Sequence, residues 1–289
     1  MKTSTYSGRR GVLPALGALL LLAALFPLPA AGIQISPRAE QGYIGVLSHV
    51  YRVGSTANGN VDFNFLTQGG QDILFPYQRY SVDVVLAGQH RVTALYQPLT
   101  LNTRSVAARN GTGAVKIDGV DFLNLPIDIT YGFDFWRLSY LYDFARDPAT
   151  ILGVGLSLQI RNASIVFTSV DGSLRVVQQN IGPVPILKVR AARWFTRSFG
   201  LDFEVDGFYA SSAFFNGSTK PFEGWIWDAS ISAKTRVLPG SAAFLTVRSI
   251  GGGASGSNAY PGLSSTKGTN PETYNALATL AVTLGLSIE

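Results

Sequence analysis

The sequence predicts an all-β fold: a transmembrane antiparallel β-barrel of about ten strands, within a range of eight to twelve, behind an N-terminal signal peptide. Three observations carry this expectation. From Tyr274 onward, apolar residues fall on every second position: Tyr274, Ala276, Ala278, Leu280, Val282, Leu284, Leu286 and Ile288. A period of two is that of an extended strand with one oily face. At ~3.4 Å per residue it reaches about 50 Å, enough to cross a bilayer at a tilt. Mean hydropathy is +0.20 and only 14% of residues are charged, yet no apolar run after the leader is long enough for a spanning helix. A closed sheet is the other way to satisfy backbone polar groups in lipid. Finally, short turns alternate with longer loops, the arrangement of outer-membrane barrels with both termini periplasmic.

Residues 1–32 read as the signal. Lys2, Arg9 and Arg10 form a basic head, Val12–Phe26 is apolar, and Ala30-Ala31-Gly32 supplies a cleavage site. Residues 33–58 form an N-terminal segment that is either a short amphipathic helix, with Tyr43, Leu47, Val50 and Tyr51 on one side, or a first strand. Residues 59–289 make the barrel. The absence of cysteine excludes disulfides, a lipoprotein anchor and thiolate metal sites. A net charge of +5 spread over many segments argues against a nucleic-acid partner.

The strands follow in order. Asn60–Leu66 places Val61, Phe63 and Phe65 on one face, and Gln78–Ala87 sets Tyr80, Val82, Val84 and Leu86 opposite Arg79, Ser81 and Asp83. A Gly88-Gln89 turn leads to Arg91–Ala107, bent or bulged near Pro98. After a Gly-rich loop at Gly111–Gly119, Phe122–Phe144 has an outward set of Leu123, Leu125, Ile127, Ile129, Tyr131, Phe133 and Phe135. Its phase then shifts to Leu138, Tyr140, Tyr142 and Phe144, which predicts one long bulged strand or a hairpin turning near Phe133–Trp136. The bulge is favoured, because that stretch has no turn signal beyond Gly132 and Asp134. Ile151–Phe167 leads through Asp171-Gly172, a hairpin signal, to Leu174–Phe195, disturbed by Pro183 and Pro185. Leu201–Tyr209, Trp225–Val237, Ala242–Ile250 and the last strand complete the set, with Ser212–Glu223 and Gly251–Pro271 as long loops. Aromatic residues near strand ends, among them Trp194, Trp225 and Trp227, suit interfacial girdles.

Several phrases resemble an uncharacterised group of proteobacterial outer-membrane barrel proteins. They are Gly69-Gly70-Gln71-Asp72-Ile73-Leu74-Phe75-Pro76, Tyr96-Gln97-Pro98-Leu99, Tyr131-Gly132-Phe133 with Trp136-Arg137-Leu138-Ser139-Tyr140-Leu141-Tyr142, Gln159-Ile160-Arg161-Asn162-Ala163, Gly182-Pro183-Val184-Pro185 and Gly251-Gly252-Gly253-Ala254. The resemblance implies location and fold, in the outer membrane of a Gram-negative cell, and no activity. One departure is the terminus, Ser287-Ile288-Glu289, where many such barrels end in an aromatic residue.

If the polar face of each strand points inward, the lumen holds a charged network of Arg79, Asp83, Arg91, Asp128, Asp134, Arg137, Arg161, Lys188, Arg190, Asp202, Glu204, Asp206, Asp228 and Arg236, together with Asp143, Lys234 and Arg248. Lys188 and Arg190 on one strand face Asp202, Glu204 and Asp206 on the next, so salt bridges across the ladder are expected rather than a cation site. The sequence therefore predicts a structural, small-ligand-binding or passive-transport role, with no cofactor and no metal. The expected partners are outer-membrane lipid, lipopolysaccharide and the barrel-assembly machinery. The alternative is a lipid-modifying enzyme resembling a lipid A deacylase. It would need a histidine base, and only His49 and His90 are available. Both read as solvated or interfacial, and Ser48 beside His49 points to the opposite face. Gly251–Gly256 reads as a flexible loop, not a phosphate cradle.

Overall fold

The structure, a computed structural model, describes residues 32–53, 62–106, 115–118, 120–122, 125–147, 149–212, 222–257 and 272–288. Apart from Gly32, the predicted signal peptide lies outside the described residues, as do Val61, Leu123 and most of the predicted long loops.

Fourteen strand segments occur in the order β1 (Ile33–Val53), β2 (Phe63–Asn64), β3 (Leu74–Leu86), β4 (His90–Gln97), β5 (Thr100–Val106), β6 (Lys116–Ile117), β7 (Val120–Asp121), β8 (Pro126–Arg146), β9 (Thr150–Ser169), β10 (Arg175–Trp194), β11 (Phe199–Ser211), β12 (Phe222–Leu238), β13 (Ser241–Ser257) and β14 (Glu272–Ile288). Neighbours pair antiparallel, and β14 pairs back onto β1, so the sheet closes. β4 and β5 both pair with β8 and form one stave broken at Pro98-Leu99, which makes ten staves. At that break the Asp134 carboxylate accepts the Leu99 N–H at 2.7 Å, replacing a lost ladder bond.

The described ends of the sheet, Ile33 and Ile288, and the turns at 87–89, 195–198 and 239–240 lie at one end of the barrel, the turn end, together with Asp147 and Ala149. The first turn is tight because Ala87 and Gly88 adopt positive φ, 48° and 77°. At the opposite, loop end, the Asp171-Gly172 hairpin forms with Gly172 at φ 75°.

The structure corrects several sequence expectations. The segment after residue 33 is not a helix: Ile33–Val53 is a wall strand, so the barrel begins there and not at residue 59. Among the described residues of the predicted strand Asn60–Leu66, only Phe63 and Asn64 are strand, as β2. Phe63 and Phe65 fold inward, and Gly70 at φ 75° reverses the chain back to β3. Gly251-Gly252-Gly253 is not loop but part of β13. Trp227 and Trp225 lie over Gly251 and Gly253, where any Cβ would strike an indole ring. Pro183 and Pro185 leave β10 undisturbed against β9, with the register intact from Arg175↔Thr168 to Arg193↔Thr150.

The largest correction concerns β8. Ile127, Ile129, Tyr131 and Phe135 are buried inside the barrel, not outward, and so are Arg137, Ser139, Leu141 and Asp143 further along. The strand keeps one phase over this whole stretch; its register irregularity lies at Asp143/Ala145. What changes is the chemistry of both faces. On the turn side of Phe135 the inside is polar and the outside carries Trp136, Leu138, Tyr140, Tyr142 and Phe144. On the loop side the inside is apolar and the outside carries Asp128, Thr130 and Asp134. β9 repeats this, with Leu152, Val154, Leu156, Leu158 and Ile160 exposed, then Asn162 and Thr168 on the same face. Strands of 20 and 21 residues span about 50 Å at the usual tilt, twice the ~25 Å apolar band of such barrels. The turn-side half is therefore the bilayer half, and the loop-side half is built like a soluble protein, with an apolar core.

Candidate functional site

Inside the bilayer half, seven cations and seven carboxylates meet among the described residues. The cations are Arg38, Arg79, Arg91, Arg137, Lys188, Arg190 and Arg248, and the carboxylates are Glu40, Asp83, Asp143, Asp202, Glu204, Asp206 and Asp228. Their positions follow from alternation, since each points inward from a strand whose neighbouring residues face lipid.

Asp228 on β12 is the hub. It is fully buried, accepts hydrogen bonds from Arg248 on β13 at 2.7 Å and Arg137 on β8 at 3.0 Å, and forms an ion pair with Arg79 on β3 at 3.0 Å. Arg137 also reaches Asp206 on β11 at 2.9 Å and donates twice to Gln159 on β9, at 2.7 and 3.0 Å. Nearer the turn end, Arg91 bridges Asp83 at 2.7 Å and Asp143 at 3.1 Å, while Thr93 donates to Asp83 at 2.6 Å. Arg190 joins Asp202 at 2.8 Å and Asp83 at 3.4 Å. Lys188 sits between Asp206 at 3.0 Å and Glu204 at 3.2 Å. Arg137–Asp228, Arg79–Asp228, Arg137–Asp206 and Arg190–Asp83 cross the lumen between strands that are not neighbours, and the other pairs bridge adjacent strands.

Three predicted lumen residues lie elsewhere. Asp128 faces outward and is 46% exposed, in a two-bond pair with Arg104. Asp134 is on the outer face at the Pro98 break. Both were misplaced by the apparent phase shift of β8. Arg236 is exposed at the turn end, where it donates to the Arg197 carbonyl at 2.8 Å and covers the Trp194 ring at 4.3 Å. Arg161 does point inward, but it has no carboxylate partner among the described residues. Arg38 and Glu40 join the network and were missed. Their i, i+2 spacing on a strand was the available signal, hidden while this segment remained open between helix and strand.

Above the ion pairs, the loop-side lumen is filled by an aromatic core. His49, fully buried rather than solvated, stacks on Phe65 with centroids 3.8 Å apart, meets Tyr131 edge-on at 4.5 Å, and shares a 2.7 Å hydrogen bond with Gln71. Among the described residues, no hydroxyl nucleophile or carboxylate is bonded to it. His90 is exposed at the turn end against the Tyr140 hydroxyl at 2.8 Å. Neither arrangement provides the base–nucleophile pair that a lipid hydrolase needs.

At the turn end the lumen widens into a vestibule of about 500 Å³ lined by Gln89, Asp147, Trp194 and Lys234. A deeper recess of about 160 Å³ is lined by Arg38, Arg91, Arg190 and Lys234 against Asp83 and Asp202, with Trp194 and Phe244 on its walls. Lys234 lies 4.5 Å over the Trp194 ring.

A closed ten-stave barrel with an exterior apolar belt defines the class: the chain is an outer-membrane β-barrel protein. The outer membrane protease OmpT of Escherichia coli has the same fold, with a TM-score of 0.56 at 12% identity over 91% of this chain and 98% of that one. OprG of Pseudomonas aeruginosa (TM-score 0.35, 9% identity, 90% of this chain and 97% of that one) and the toluene transporter TodX of Pseudomonas putida (0.34, 8%, 90% of each) are more distant. No protein-family model and no curated protein sequence matches the chain.

Proposed function

We propose that this barrel binds a small anionic ligand in its turn-end vestibule and does not conduct along its axis. The observation that carries the reading is the recess, where four cations face two carboxylates around a space of about 160 Å³. Arg38 and Arg190 are held in place by Asp202, so the guanidinium groups are pre-positioned, which lowers the cost of binding. The ion-pair plug behind the recess supports the closed axis. Short turns face the periplasm in outer-membrane barrels, so the ligand would come from that side. Outer-membrane lipid and lipopolysaccharide would surround the belt, and the barrel-assembly machinery would insert it.

Trp194, on the wall of both spaces, supplies the test. In the full-length barrel in nanodiscs, citrate or pyrophosphate should change tryptophan emission saturably. Trp194→Phe should abolish the change, and Arg38→Gln should weaken it at least tenfold. Absence of a saturable change, or one indifferent to Arg38→Gln, would sink the ligand reading. Steady single-channel steps from the wild type in planar bilayers would sink the closed axis.

A further inference from the structure

The ladder between β10 and β11 is incomplete. β10 is paired with β9 along almost its full length, but with β11 only from Trp194↔Gly200 to Leu187↔Gly207. β11 continues on its other side, paired with β12 as far as Ser211↔Glu223. Among the described residues, the loop-side stretch of β10, residues 175–186, thus has a ladder on one edge only. Pro183 and Pro185 stand in this stretch. Proline lacks an N–H and is tolerated at a strand edge, so their presence suits a seam that was never meant to close.

The seam begins beside the bilayer. Pro185 pairs with Leu158 and Pro183 with Ile160, the last two residues of the β9 apolar belt. Behind it lies Arg161, the register partner of both Gly182 and Phe135. Arg161 makes no ion pair or hydrogen bond with any described residue, and its Nε is shut off from solvent without a partner. This sets it apart from the seven paired cations below it. Only Nε is enclosed and the residue as a whole is half-buried, so the guanidinium stands between the interior and water without a counter-charge among the described residues. Gly182, on the inward face of β10, has no atom within 4 Å of where a Cβ would stand, so open space adjoins the guanidinium side of the seam.

We propose that the unpaired half of the β10–β11 seam is a side opening for a single-chain alkyl carboxylate, whose head group pairs with Arg161 in the space at Gly182 while its chain lies along the seam toward lipid. One cation suits a monoanion, and planar guanidinium suits a carboxylate. The seam is open toward the loop end, so the head group can slide in along the membrane surface without crossing the apolar belt.

The test uses the full-length barrel in phosphatidylcholine nanodiscs with spin-labelled palmitate as probe. Saturable binding is expected, weakened at least tenfold by Arg161→Gln and by Gly182→Leu, largely kept by Arg161→Lys, and at least tenfold weaker for the methyl ester. Binding no greater than partition into empty nanodiscs, or unchanged in Arg161→Gln, overturns the proposal. Because the chain has no cysteine, the opening itself can be probed separately. Val184→Cys, behind the seam, should react with a bilayer-soluble maleimide at least tenfold faster than Ser157→Cys, inside the intact β8–β9 ladder. Equal rates overturn the side opening even if palmitate binds.

Discussion

Arg137 and Asp228 are 91 positions apart in sequence, on β8 and β12, and their side chains meet at 3.0 Å inside the barrel, 2% and 0% exposed. The pair ties walls that are not neighbours together, Asp228 does the same for Arg79 on β3, and it holds Arg248 across the adjacent β12–β13 ladder. Its worth is conformational as much as energetic, because ion pairs out of water recover little net stability over apolar packing. Losing one member is different, since the others stay buried and uncompensated.

Asp228→Asn leaves three guanidinium groups facing a neutral amide. The barrel should lose about 3–5 kcal/mol, read as a lower urea midpoint in heat-modifiable gel migration. Adding Arg137→Gln should restore part of the loss, because the uncompensated charge falls. Full additivity of the two changes would contradict the hub.

The bilayer boundary drawn on β9 predicts a position-dependent cost on one outer face. Leu158→Arg, within the belt, should destabilise by about 2–4 kcal/mol, whereas Thr168→Arg, beyond it and in register with Asp128, should cost under about 1 kcal/mol. Equal costs in reversible unfolding from vesicles would place the boundary elsewhere.

Packing at the girdle depends on a glycine. Gly251→Val on β13 drives a side chain into the Trp227 ring and should cost about 1–3 kcal/mol. In a double-mutant cycle, Trp227→Ala should remove part of that penalty and leave the part due to the Leu277 carbonyl, 2.6 Å from the new Cβ. A coupling energy near zero would show that the indole does not lie over Gly251.

At the Asp171-Gly172 hairpin, hydrogen bonds from Ser169 and Ser173 hold the exposed Asp171 carboxyl below its usual range. A depressed folded value means the contribution is complete above the unfolded carboxyl range and disappears as pH falls through the folded value. Asp171→Asn should therefore lower stability at neutral pH, leave it nearly unchanged below the folded value, and flatten the acid side of the stability–pH curve. An identical acid slope in both proteins would count against these bonds.

How much was legible follows from what each pattern measures. Alternation reports which residues share a face, and it located nearly every stave after Gln78 together with most of the inward charges. It does not report what lies outside that face. The apparent phase shift at Phe135–Leu138 is the point where the surroundings change from water to lipid, so inside and outside exchange polarity while the strand runs on. Asp128 and Asp134 were misassigned for this one reason. His49 was misread because the Phe65 ring that buries it arrives from a separate segment.

The sequence by itself determined the closed antiparallel barrel, its membrane belt and the excess of charge within it, because those depend on local period two and on composition. Only the tertiary structure decided that Ile33–Val53 is the first stave, that Asp228 gathers three arginines, and that β10 parts from β11 beyond Leu187. These depend on register between strands far apart in the chain, and register is set by closure of the whole sheet, which no single segment encodes.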